Sequence, residues 1–125
     1  MDQVFIYFGS LLLVVWGIAH IVPTMAVVRG FGPISDDNKK IITMEWVAEG
    51  MILCFIGSLA TLLTMRVGLS DPTAVLALQA CGIMSLVMAV WTLLTGSRTK
   101  NIPIKICPIV KTVAAICVLW PTLTR

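Results

Sequence analysis

Four predominantly apolar stretches, at about residues 4–27, 41–65, 74–95 and 103–122, occupy nearly the whole of this 125-residue chain. A helix rises about 1.5 Å per residue, so about 20 apolar residues cross a hydrocarbon core roughly 30 Å thick, and each stretch is long enough. With 58% hydrophobic and 12% charged residues, the chain has too little charge to cover an aqueous surface. The expected fold is all-α, an integral membrane bundle of four antiparallel transmembrane helices in one domain, 1–125. Crossing angles of about +20° are expected, as in left-handed membrane bundles. No room is left for a separate soluble module.

The first stretch differs from a secretory signal, which opens with a basic segment and has a shorter apolar core. Here Asp2 is the only charge ahead of a long apolar run, which is expected to be the first span. Arg29, Lys39, Lys40, Arg98, Lys100 and Lys105 lie in or beside the linkers after spans one and three, whereas Arg66 and Arg125 lie at the other end. Basic residues favour the cytoplasmic side, so both termini are expected on the non-cytoplasmic side. A basic fringe beside anionic headgroups accounts for the net charge of +3 without nucleic acid.

Along the chain, Pro23 is expected to stop or kink span one, because proline lacks a backbone donor and clashes with the preceding turn. RGFGPISDDNKK reads as a linker, with Asp36 and Asp37 as turn formers. Asp71 and Pro72 form a helix start, a capping side chain followed by proline at the first helical position, so spans two and three are expected to form a hairpin. Ala77, Cys81, Ser85 and Ala89 repeat every four residues, a stripe of small residues suited to close helix packing. Pro103 suits the start of span four, Pro108 is expected to distort its first turns, and Trp120 reads as an interfacial anchor.

Against this apolar background the ionisable residues stand out. Glu45 and Glu49 are one turn apart on the same face of span two. His20 lies near the end of span one, and Lys111 enters the same leaflet from span four. Charges inside a bilayer cost on the order of 2.5–3.5 kcal/mol on insertion scales and therefore tend to face the bundle interior and pair. The expected pairs are Glu49 with Lys111 and His20 with Glu45. Two carboxylates this close in low dielectric do not both ionise cheaply, so one is expected to hold a proton beside His20, the equipment of general acid and base chemistry. Glu45, Glu49 and His20 are thus candidate catalytic residues. The competing reading is a buried ion pair that only fixes helix register.

Trp16, Trp46 and Trp91 fall at similar depth on spans one to three and, with Lys111, are candidates to line a ligand cavity, although aromatic residues also serve as plain packing. No metal site is expected: one His and two Glu fall short of the usual ligand count, and the Glu-x-x-His pair of four-helix carboxylate centres is absent. Cys54, Cys81, Cys107 and Cys117 lie within the spans without a Cys-x-x-Cys pair and read as small buried hydrophobes.

GIAHIVP, with Gly17, His20 and Pro23, is similar to the motif ending the first helix of DoxX-like four-helix membrane proteins, and EWVAEGMILCFIG resembles their second helix, where a carboxylate precedes a glycine and a long apolar run. The resemblance implies a compact bundle in a bacterial inner membrane or a eukaryotic internal membrane. Members include a subunit associated with thiosulfate oxidation and quinone, and relatives that assist receptor assembly, so membership does not fix function.

The leading expectation is a pocket for a lipid-like or quinone-like small molecule, lined by His20, Glu45, Glu49 and Trp46. No flavin, haem or iron-sulfur motif is present, so the cofactor is unknown. One alternative is an accessory protein that docks a membrane-protein partner or a second copy through the stripe around Ser85 and Ala89. Another is a proton-coupled transporter acting as a dimer, for which a single short bundle lacks the inverted repeat.

Overall fold

A computed structural model describes residues 1–124. Five helices follow one another: α1 (Asp2–Ile21), α2 (Thr24–Gly30), α3 (Asp36–Arg66), α4 (Pro72–Leu94) and α5 (Ile102–Leu123), with a single 3-10 turn at Gly96–Arg98. The described residues form no strand, and α1, α3, α4 and α5 are each long and apolar enough to cross a membrane. The fold is the expected all-α bundle.

Pro23 acts as its chemistry requires. α1 ends at Ile21, Pro23 occupies the break, and the chain resumes as the seven-residue α2, which packs on α3. Asp36 and Asp37 are not turn residues. Ser35 caps α3 by accepting a hydrogen bond from the Asn38 N–H at 3.2 Å, and the two acids occupy the first turn, where carboxylates complement the positive end of the helix. At 31 residues α3 measures about 46 Å, which carries its first turns beyond a hydrocarbon core of roughly 30 Å. At the start of α4 the Asp71 carboxylate accepts from the Ala74 N–H at 2.8 Å with Pro72 in the first turn, as its sequence predicts.

The tightest neighbours are α1 with α3 and α4 with α5, and α1 joins α5 to close one side. Glycines set the α1–α3 distance. A Cβ on Gly17 would lie 2.6 Å from both the Gly50 carbonyl and Cys54 Sγ, and one on Gly57 would lie 2.5 Å from the Ser10 carbonyl. α3 and α4 share fewer contacts than any other adjacent pair of spans. They are tied at the 67–71 turn and separate toward the opposite end of the bundle.

Two apolar layers fill the interior. Ile6, Ala60, Leu69, Leu78 and Val118 form one near the α3–α4 turn, and Leu13, Leu53, Ile56, Cys81 and Ala114 form the next. The outer face is equally apolar: Val4, Phe8, Leu11, Val15 and Ile18 along α1 are all at least half exposed, a surface suited to lipid tails. In the small-residue stripe, Cys81, Ser85 and Ala89 are buried within the chain's own bundle and Ala77 is half-buried.

Candidate functional site

The polar residues gather above the second apolar layer, at the end where α1 leads to α3 and α4 leads to α5. Glu49 lies eight residues beyond Ile41 and Lys111 nine beyond Ile102, which places both about 12–14 Å along their helices from the apolar boundary. Lys111 has no exposed surface; its Nζ forms an ion pair with Glu49 Oε1 and donates to Thr92 Oγ1 at 2.8 Å. The Thr92 hydroxyl in turn donates to the Met88 carbonyl. A cation on α5 is therefore held by acceptors on α3 and α4, and the expected pairing of Glu49 with Lys111 is present.

The expected pairing of His20 with Glu45 is not. His20 Nε2 faces Glu49 Oε1 at 3.8 Å, while Glu45 is exposed at the rim. The glycine contact explains the change of partner. A Cβ on Gly50 would lie 3.1 Å from His20 Cβ, so α1 meets α3 with His20 level with Gly50, one turn past Glu45 and beside Glu49. Glu45 and Glu49 consequently occupy different levels, Glu45 at the exposed rim and Glu49 beside His20 and Lys111.

His20 is fixed from three sides. Its Nδ1–H donates to the Trp16 carbonyl at 3.0 Å, its ring stacks on Trp46 with centroids 5.2 Å apart, and the Trp46 indole N–H donates to the His20 carbonyl at 2.8 Å. A carbonyl only accepts, so the Nδ1 contact keeps the proton on that nitrogen and turns Nε2 toward Glu49.

Cys107 belongs to this cluster. It is 1% exposed, accepts the Trp16 indole N–H at 3.2 Å, and lies 3.8 Å from His20 Nε2 and 4.0 Å from Glu49 Oε1. Its type and surroundings in sequence read as apolar packing. The available clue was spacing, since Cys107 and Lys111 are four apart and share a face of α5. Thr92 had no such clue, because its role depends on where α5 places Lys111.

Where α3 and α4 separate, a cavity of about 810 Å³ extends down to this cluster. Ile52, Met84, Val87, Met88 and Trp91 are among its apolar walls, Glu45, Thr95 and Thr99 stand at its rim, and His20, Glu49, Thr92, Cys107 and Lys111 form its floor. Trp46 and Trp91 line it, Trp91 with 68% of its surface exposed. Trp16 does not. It packs against the second apolar layer beneath the floor, where its indole N–H is used by Cys107.

Compared with models of known families, with curated proteins and with solved structures, the chain matches none.

Proposed function

We propose that this small integral membrane protein binds an amphiphilic molecule, lipid-like or quinone-like, with its polar head on the Lys111–Glu49–His20 floor and its apolar body between α3 and α4. The observation that carries this is one cavity with apolar walls that ends on a fully buried ammonium group. Its volume lies in the roughly 300–1,000 Å³ range of small-molecule sites, and buried polar groups at the end of an apolar slot are the usual means of orienting a ligand. Because the slot opens along the sparse α3–α4 seam, the ligand reaches it sideways from the bilayer.

Each floor residue has a part. Lys111 donates to a head-group carbonyl, carboxylate or phosphate oxygen, and Thr92 keeps its ammonium aimed. Glu49 balances the charge of Lys111 when no anionic head is present. His20, its Nδ1 proton committed to a backbone carbonyl, passes a proton at Nε2 to or from Glu49 or the ligand. Binding with proton transfer is the chemistry these groups supply.

The resemblance to DoxX-like proteins belongs to the same proposal, because GIAHIVP and EWVAEGMILCFIG contribute Gly17, His20, Glu49 and Gly50, the residues that shape the floor. So does the orientation with both termini non-cytoplasmic, which gives the cavity a cytoplasmic-leaflet opening beside the basic linkers.

The test is native mass spectrometry from nanodiscs of the wild type, Glu49→Gln and Val87→Trp. Val87 is 56% exposed on the cavity wall, so tryptophan there fills the slot without disturbing the floor. A small-molecule adduct on the wild type that both variants reduce at least tenfold is expected. Three folded proteins that all fly without an adduct would overturn the proposal.

A further inference from the structure

Cys107 has no part in amphiphile binding, and with His20 and Glu49 it completes a second donor set on the floor. His20 Nε2, Glu49 Oε1 and Cys107 Sγ form a nearly equilateral triangle with edges of 3.8, 3.8 and 4.0 Å. The point equidistant from all three lies about 2.2 Å from each, within the roughly 2.0–2.3 Å range of zinc bonds to imidazole, carboxylate and thiolate. We propose that these three side chains bind one zinc-class divalent cation, with a fourth position open to the groove.

The surroundings are those of a ligand set. His20 spends its Nδ1 proton on the Trp16 carbonyl, which leaves the Nε2 lone pair facing the centre of the triangle, the second hydrogen bond that metal-binding histidines characteristically make. The indole N–H of the same tryptophan donates to Cys107 Sγ and fixes its position. His20 is 7% and Cys107 1% exposed, so their donor atoms are held by packing. Nitrogen, oxygen and sulfur together suit a borderline ion such as Zn²⁺, whereas Mg²⁺ and Ca²⁺ take oxygen. Three protein ligands with one open position is the arrangement of zinc sites that also hold an exogenous molecule.

Lys111 makes the site conditional. Its ammonium group shares Glu49 Oε1 with the proposed cation and therefore competes with it, while Thr92 Oγ1 at 2.8 Å offers a partner when the carboxylate turns to the metal. Loading balances as Zn²⁺ plus the Cys107 thiol giving a zinc–thiolate bond and one proton released to solvent. With the cation bound, His20 Nε2 and Glu49 Oε1 are no longer available for proton transfer, so a metal-loaded floor holds an amphiphile's head through Lys111 and the open metal position alone.

Full-length protein in nanodiscs, stripped with a chelator and dialysed against Zn²⁺ alone, tests the site, with Co²⁺ as an optical probe of sulfur ligation. Expected are one Zn²⁺ per chain, a thiolate-to-cobalt charge-transfer band, loss of that band in Cys107→Ser, and zinc affinity reduced at least tenfold in Cys107→Ser and His20→Ala. Cys117→Ser, on the same helix but outside the cluster, is expected to bind like the wild type. Lys111→Met is expected to bind zinc about tenfold more tightly; if it folds poorly, zinc is expected to restore the folded fraction. The site is refuted if neither wild type nor Lys111→Met binds more zinc than Cys107→Ser, or if the cobalt band survives that substitution. Val87→Trp keeps the outcomes apart, since it removes an amphiphile and leaves zinc binding unchanged.

Discussion

Lys111 is a charged residue with no exposed surface, and Glu49 is the acid that makes this tolerable. Breaking such a pair leaves one charge buried without its partner, which costs about 3 kcal/mol. Lys111→Met is therefore expected to lower the midpoint of thermal unfolding in nanodiscs by several degrees, and Glu49→Leu in the same chain to recover most of it, because replacing both members by apolar groups removes the uncompensated charge. A double variant no more stable than Lys111→Met would show that the pair contributes little. Ser10 presents the opposite case. Its hydroxyl is buried with no hydrogen-bond partner among the described residues. Ser10→Ala removes an unsatisfied group and is expected to stabilise the protein by about 1 kcal/mol, read from the same melting curves. The members of the floor were unequally legible. His20, Glu49 and Lys111 contrast with an apolar background, so their importance was visible in sequence. Cys107 and Thr92 are ordinary in that background, and only the placement of Lys111 and His20 gives them partners.

Among the elements, the α1–α3 contact decides which residues meet. Gly17 and Gly50 put His20 level with Glu49; without a Cβ on either, the two backbones come close enough for His20 to stack on Trp46. Gly50→Ala places a methyl group 2.6 Å from Ile21 Cγ1 and 2.8 Å from the Gly17 carbonyl. Overpacking of this kind costs about 1–3 kcal/mol. The variant is expected to lose that much stability and also the quenching of Trp46 fluorescence by the stacked His20. An unchanged emission spectrum and melting midpoint would mean that α1 shifts to accommodate the methyl group. The sequence indicated the helices, the break at Pro23 and the cap at Asp71, because each depends on a few adjacent residues. It misplaced Asp36 and Asp37 because acids suit turns and first helical turns alike, and Ser35 as the cap decides between them. The relative register of α1 and α3 was not legible, since it rests on residues 33 positions apart.

At the scale of the molecule, four helices are long and apolar enough to cross a membrane, and the proposed orientation puts both termini opposite the linkers that carry Arg29, Lys39, Lys40, Arg98 and Lys100. Reporter fusions at both ends are expected to show the same, non-cytoplasmic, location; opposite signals from the two ends would refute a four-span topology. The stripe around Ser85 and Ala89 is spent on the chain's own packing, so Ser85→Leu is expected to unfold the bundle rather than to release a partner. The remaining feature is the seam where α3 and α4 part. Three sides of the polar floor are made of protein and the fourth opens between α3 and α4, where the proposed function puts the apolar body of a lipid-like molecule. Under the proposed function the bilayer thus counts among the structural components of the protein, and detergent extraction is expected to lower its melting midpoint relative to nanodiscs.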